Sequence, residues 1–156
     1  MKTQQKPMST SKSAEKMTIW TIGHSNRSKE TFLELLNEHH IEVLVDVRSF
    51  PTSRADHFKR EEMERWLPEN GLEYVWRGKE LGGYRRGGYK AHMRTRLFRD
   101  GIKNLMEIAA QKRTCIMCKE ANPKYCHRRC ISAYLEQKGV QVCHIVAKGQ
   151  TNILMF

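Results

Sequence analysis

Thr114–Leu135, TCIMCKEANPKYCHRRCISAYL, is the stretch whose reading decides the fold. Thr114 to Cys118 is short, mostly apolar and bracketed by polar residues, as a buried strand is. Glu120 to Tyr125 is polar and contains Asn-Pro, a turn signal. From His127 onward Ile131, Tyr134 and Leu135 fall at helical spacing, and Gly139 supplies a stop. The unit is therefore strand, turn, helix, with Cys126 near a helix N-terminus, where backbone N–H groups lower a thiol pKa.

The same grammar runs through the rest of the chain. Met17–Ile22 reads as a strand leading into Gly23-His24-Ser25-Asn26, and Ser28 as the N-cap of a helix burying Phe32, Leu35 and Leu36. Ile41–Val47 is a near-continuous apolar run, the mark of a strand covered on both faces. A charged helix turning Met63, Trp66 and Leu67 inward follows, closed by Pro68 and Gly71, then a strand over Leu72–Trp76. Arg77–Lys90, with five glycines, four of them in two pairs, reads as no regular element. A helix interrupted near Gly101 carries Met93, Leu97, Phe98, Ile102, Leu105, Met106 and Ala109 to the Thr114 strand. Val140–Val146 is a fifth strand, and Asn152–Phe156 a short added strand or docked tail. Alternating strands and helices predict an α/β, single-domain, three-layer fold over 17–156 with a mainly parallel sheet of about five strands. Met1–Lys16, polar and basic, is expected to be a disordered tail.

The chain has 156 residues, enough for one domain with a proper core, and a formal net charge of +11. That excess favours polyanionic partners, nucleic acid before acidic membrane surfaces. The five cysteines are odd in number and clustered, unlike a disulfide framework. With no apolar signal-like segment in Met1–Lys16 and no membrane-length run, reduced thiols in a cytoplasmic protein without membrane contact are expected.

In parallel sheets ligands bind beyond the carboxyl ends of the strands, and these exits carry the chemistry. They read Gly23-His24-Ser25, then Asp46-Val47-Arg48 with the loop through Ser53, then the Arg/Gly/Tyr segment, then Cys118-Lys119-Glu120. The candidate catalytic residues are His24, Asp46, Cys118, Glu120, Cys126 and His127. Asp46 or Glu120 would be a general base, or the two would share a divalent cation; the alternative for Asp46 is an ion pair with Arg48 or Arg128. Ser25, Arg48, Ser53 and Arg128 are candidate anion binders. Cys115-x-x-Cys118 has zinc-site spacing, but residues three apart on a strand face opposite ways, so no metal site is assigned and no cofactor is predicted. Arg77, Lys79, Tyr84, Arg85, Arg86, Tyr89 and Lys90 combine cations with rings, a pattern suited to nucleic-acid phosphates and bases, with glycines for close approach.

Several of these motifs occur together and in order: Thr21-Ile22-Gly23-His24-Ser25, Asp46-Val47-Arg48-Ser49-Phe50-Pro51-Thr52-Ser53, Leu81-Gly82-Gly83, and Cys118-Lys119-Glu120 followed by Pro123 and Cys126-His127-Arg128. In these the chain resembles domain-of-unknown-function family 488 from about Thr18 to Ile145. The resemblance implies a compact α/β domain and no settled reaction. The residues themselves suggest, first, a protein that binds DNA or RNA and modifies or repairs it. The competing reading is a thiol-dependent enzyme that transfers sulfur or phosphoryl groups of a small anionic substrate through Cys126. A third is a pure binding module in which the acids and cysteines are structural.

Overall fold

The computed structural model of the chain describes residues 17–152. Its six strands are β1 (Thr18–Gly23), β2 (Val43–Asp46), β3 (Glu73–Trp76), β4 (Thr114–Cys118), β5 (Gln141–Ala147) and β6 (Gln150–Asn152). They form one sheet in the order β3-β2-β4-β1-β5-β6. The first five are parallel, and β6 pairs antiparallel with β5 at the edge. The expected tail 1–16 and residues 153–156 lie outside the described residues.

Six helices cover the sheet: α1 (Lys29–Glu38), α2 (Arg60–Glu69), α3 (Gly78–Leu81), α4 (Tyr89–His92), α5 (Arg96–Gln111) and α6 (Arg128–Gln137). Ser28 caps α1 as its position suggested, its hydroxyl accepting from the Thr31 N–H at 3.1 Å. Phe32, Leu35 and Leu36 of α1 join Met63, Trp66 and Leu67 of α2 in one core, against Leu44, Cys115 and Met117 of the sheet. On the other face Phe98, Ile102 and Leu105 of α5 and Ile131 and Leu135 of α6 pack on Val43, Val45 and Ile116. These are the three layers, and the unbroken burial of β2 and β4 follows from being covered on both sides.

Two expectations need correction. Arg77–Lys90 is not wholly irregular, since its ends wind into the short helices α3 and α4. Helix α5 is not interrupted at Gly101. A Cβ there would lie 2.6 Å from the Glu80 Cβ and 3.0 Å from Leu81 Cδ2, so this glycine allows α3 to sit against α5 rather than breaking it.

The strand order determines where a site can form. From β1 and β2 the chain leaves through α1 and α2 toward one face, whereas from β4, which lies between them, it leaves through α6 toward the other. Neighbouring strands whose connections diverge leave a crevice beyond their carboxyl ends. Backbone bonds extend past the strands here: His24 N–H to Cys118 O (2.9 Å), Ser25 N–H to Lys119 O (2.8 Å) and Val47 N–H to Met117 O (2.9 Å). A Cβ at Gly23 would lie 1.7 Å from the Glu120 carbonyl oxygen, so only glycine lets the β4 exit cross β1 this closely.

Candidate functional site at the carboxyl ends of β2 and β4

An open cleft of about 410 Å³ lies there, lined by Arg48, Ser49, Phe50 and Thr52 after β2, Gly83 and Tyr84 of the glycine loop, Cys118, Lys119 and Glu120 after β4, and Cys126 and His127. Four of the six candidate catalytic residues, Cys118, Glu120, Cys126 and His127, meet in it, together with Arg48. Asp46 is fully buried and His24 only 2% exposed, and neither is among the lining residues.

Cys118 and Cys126 touch. Their sulfurs are 2.8 Å apart and both thiols are free. Cys118 ends β4 and points to the α5/α6 face, while Cys115 lies in the core of the opposite face, as strand alternation requires. Cys126 follows a short 3-10 turn, Pro123–Tyr125, and precedes α6. Its sulfur accepts from the Arg128 backbone N–H at 3.3 Å and from Arg128 Nε at 3.2 Å.

Arg128 itself is fully buried. Its remaining N–H groups bond Thr21 Oγ1 (3.0 Å), Ala121 O (3.3 Å) and Glu120 O. The guanidinium thus staples the loop after β4 back onto α6 and β1. Thr21 Oγ1 is also 2.6 Å from His144 Nδ1, whose ring burial drives its pKa down to about 4. The hydroxyl therefore accepts from Arg128 and donates to a neutral imidazole.

The two thiols are pushed in opposite directions. The hydrogen bond from Cys118, reinforced by the Arg128 charge and N–H groups, outweighs burial and brings Cys126 down to about 6. Burial, and then the bond given to Cys126, raise Cys118 well above the usual thiol value. The pair is thus polarised, with Cys118 holding its proton the more tightly and Cys126 accepting the hydrogen bond.

His127 donates from Nε2 to the Val47 carbonyl at 2.8 Å, and burial lowers its pKa to about 4, so it is a neutral ring with Nδ1 as its acceptor. A Cβ at Gly83 would lie 2.8 Å from that Nδ1. Likewise a Cβ at Gly82 would lie 2.2 Å from Ser49 Oγ, which accepts the Tyr84 N–H at 3.1 Å. The paired glycines bring the loop against the protein's own Ser49 and His127, where the sequence suggested a close approach to a ligand.

Asp46 and Arg48 make the other polar unit. Arg48 Nε and NH2 reach Asp46 Oδ1 and Oδ2 at 2.9 and 2.7 Å, its backbone N–H adds 3.1 Å to Oδ1, and the Tyr74 hydroxyl donates to Oδ2 at 2.5 Å. Of the two ion pairs the sequence allowed for Asp46, the one with Arg48 is formed. Glu120 is exposed on the cleft wall. Among the described residues no three His, Cys, Asp or Glu side chains gather as a cation would need. His24 donates from Nδ1 to Ser25 O at 2.9 Å and stacks on Phe58, with its buried Nε2 unpartnered; burial brings it to about 4. Ser25 turns the chain at φ +48°, and Ser53 Oγ accepts the Ala55 N–H at 3.1 Å, so each shapes a loop.

The seven candidate nucleic-acid residues divide. Arg77 bonds Asn104 Oδ1 and Trp76 O, Arg85 caps the Gly78, Lys79 and Gly82 carbonyls, and the Tyr89 hydroxyl donates to Leu81 O at 2.7 Å. These three hold the loop together. Lys79, Tyr84, Arg86 and Lys90 are exposed. Tyr84 (79% exposed) lies 5.4 Å, ring to ring, from Phe50 (67% exposed) at the cleft mouth. Phe50, with Ser49, Thr52, Gly83 and Lys119, was not singled out from sequence, although Phe50 stands in the motif after Asp46.

The family described as Domain of unknown function DUF488 matches residues 28–135, well over half of the chain, and the protein belongs to that family. The matched span is shorter than the Thr18–Ile145 expected from the motifs and begins after Thr21–Ser25. No curated protein and no solved structure matches the chain. No helix among the described residues is long and apolar enough to cross a membrane.

Proposed function

We propose that this protein is a thiol-dependent enzyme whose nucleophile is Cys126, acting on a small anionic substrate held in the cleft. One observation carries the reading: Arg128 is fully buried, and among the described residues its partners are a hydroxyl, two carbonyls and the Cys126 sulfur, with no carboxylate. A buried guanidinium needs an anion, because an uncompensated charge in a low dielectric is costly. The Cys126 thiolate supplies it, and the thiolate is the reactive form.

The remaining roles follow from geometry. Cys118 donates its proton toward the thiolate, Arg128 fixes its position, and His127 offers a neutral acceptor on the wall. Lys119 at the cleft and the +11 net charge attract an anionic substrate. The transferred group is sulfur or phosphoryl, both of which a thiolate attacks directly.

pH-dependent alkylation with iodoacetamide, followed at Cys126 by peptide mapping, tests this. The rate is expected to reach half its maximum near pH 6. A midpoint near the free-thiol value of about 8.5 removes the thiolate and the reading with it.

A second reading, nucleic-acid binding, is supported by the exposed Phe50–Tyr84 pair and by the exposed Lys79, Arg86 and Lys90 of the same glycine-rich segment as Tyr84. Rings stack on bases and cations neutralise phosphates. Titration with short single- and double-stranded oligonucleotides across salt concentrations checks it. Binding that weakens steeply with salt supports it, and absence of binding at low salt rejects it.

A further inference from the structure

We propose that Cys118 and Cys126 act together as a dithiol that reduces small disulfides, Cys126 attacking and Cys118 resolving. The inference rests on the reading of Cys126 as nucleophile and names its substrate class. Phosphoryl transfer needs one thiol. A second thiol in contact with the first serves a reaction that turns the first sulfur into an electrophile, and attack on a disulfide does so.

The geometry assigns the order. Cys118 is 2% exposed and Cys126 is the more accessible of the two, so a substrate entering the cleft meets Cys126 first. The sulfurs are 2.8 Å apart, so bond formation at about 2.05 Å needs an approach of about 0.75 Å. Loop Lys119–Tyr125 need not reorganise for that, since Arg128 already ties Glu120 O and Ala121 O to the base of α6. The other three cysteines are placed elsewhere: Cys115 faces the opposite side of the sheet, Cys143 lies on β5, and Cys130 lines a separate groove with Arg129 and Tyr134.

The steps balance. The Cys126 thiolate attacks one sulfur of R–S–S–R; the S–S bond breaks, RS⁻ leaves, and a Cys126–S–S–R mixed disulfide forms. Cys118 then gives up its proton as its sulfur attacks Cys126 Sγ, and a second RS⁻ departs. Two electrons pass from the dithiol to the substrate, yielding a Cys118–Cys126 disulfide, with the single proton of the pair shared between the two released thiols and water. An external thiol reductant restores the dithiol. The exposed Phe50 and Tyr84 rings at the mouth, with Lys119 on the lining of the same cleft, favour disulfides with flat, negatively charged arms.

The test treats the reduced full-length chain with dithiobis(nitrobenzoate), an aromatic anionic disulfide whose leaving thiolate is coloured, and then maps tryptic peptides. In the wild type, two coloured thiolates per chain are expected in the fast phase, with Thr114–Lys119 (TCIMCK) joined to Tyr125–Arg128 (YCHR) through Cys118. In Cys118→Ser, one is expected, with the arm retained on YCHR. A wild-type product that keeps the arm on YCHR, with no joined peptides, overturns the resolving role and leaves Cys126 a nucleophile. A Cys126 that reacts no faster than Cys143 overturns both readings.

Discussion

Among the described residues the guanidinium groups of Arg48 and Arg128 are both buried, and they are satisfied differently. Arg48, after β2, grips the Asp46 carboxylate with two N–H groups, and Tyr74 and the Arg48 backbone N–H saturate that carboxylate from other sides. Arg128, at the start of α6, meets a hydroxyl, two carbonyls and a sulfur. In each case burial alone would lower the arginine pKa, and the partners raise it instead: Asp46 for Arg48, the Cys118 and Cys126 sulfurs for Arg128. The first unit keeps its anion on a buried carboxylate already met from several sides, and Arg48 also bonds Thr52 O, so it sets loop geometry. The second keeps its anion on a titratable, nucleophilic atom at an open cleft, so it can react. One buried arginine is architecture, and the other, on the proposed function, serves chemistry.

Replacing each arginine's partner, or the arginine itself, should separate these roles. The largest effect is expected from Arg128→Met, which strips donors from Thr21, Ala121 and Glu120 as well as from Cys126. A loss of about 4 kcal/mol is expected in urea unfolding, and the Cys126 alkylation midpoint should rise from near 6 toward the free-thiol value of about 8.5. Asp46→Asn comes next. It leaves Arg48 buried without its counter-charge, which should cost about 3 kcal/mol while the alkylation midpoint of Cys126 stays near pH 6. Equal shifts of that midpoint in both variants would erase the distinction between the two units.

A smaller effect concerns pH. Cys126 is depressed to about 6 in the folded chain, against about 8.5 for an unfolded thiol. Between these values the unfolded state binds more protons, so stability rises with pH. The contribution is fully present above about 8.5 and is lost as pH falls through 6. Urea unfolding of wild type and Cys126→Ser across this window should show a difference that grows with pH and vanishes below 6. The neutral histidines His24 and His127, lowered by burial to about 4, act at more acid pH, with stability falling from about 6.5 downward in both proteins alike.

The smallest effect lies at the cleft mouth. Tyr84→Ala removes an exposed ring, so stability should move by no more than about 0.5 kcal/mol. The rate with the aromatic disulfide should fall roughly fivefold, the equivalent of about 1 kcal/mol of ring contact, with little change for a small aliphatic disulfide. Equal rates for both probes would remove Tyr84 from substrate recognition.

The two units also differ in how far sequence discloses them. Strand β4 and the start of α6 are legible because apolar runs, Asn-Pro and helical spacing are local signals. The Asp46–Arg48 pair is legible for the same reason, its members being two residues apart. Contact between Cys118 and Cys126 is not, because it depends on Arg128 folding the intervening loop back through carbonyl bonds that any sequence could offer. The glycine loop misleads in the other direction. Arg77, Arg85 and Tyr89 look like ligand-binding groups in a Gly-rich, basic segment, yet they cap and brace that segment. A count of charges carries no information about which carbonyls a guanidinium will reach.

The proposed function requires Cys126 to be the anion that buried Arg128 holds. Direct titration of the thiolate by its ultraviolet absorbance, as the difference between wild type and Cys126→Ser, reads this without any substrate. A single step near pH 6 is predicted, moved up toward the free-thiol value of about 8.5 by Arg128→Met. A wild-type step already near 8.5, unchanged by that substitution, would contradict the account.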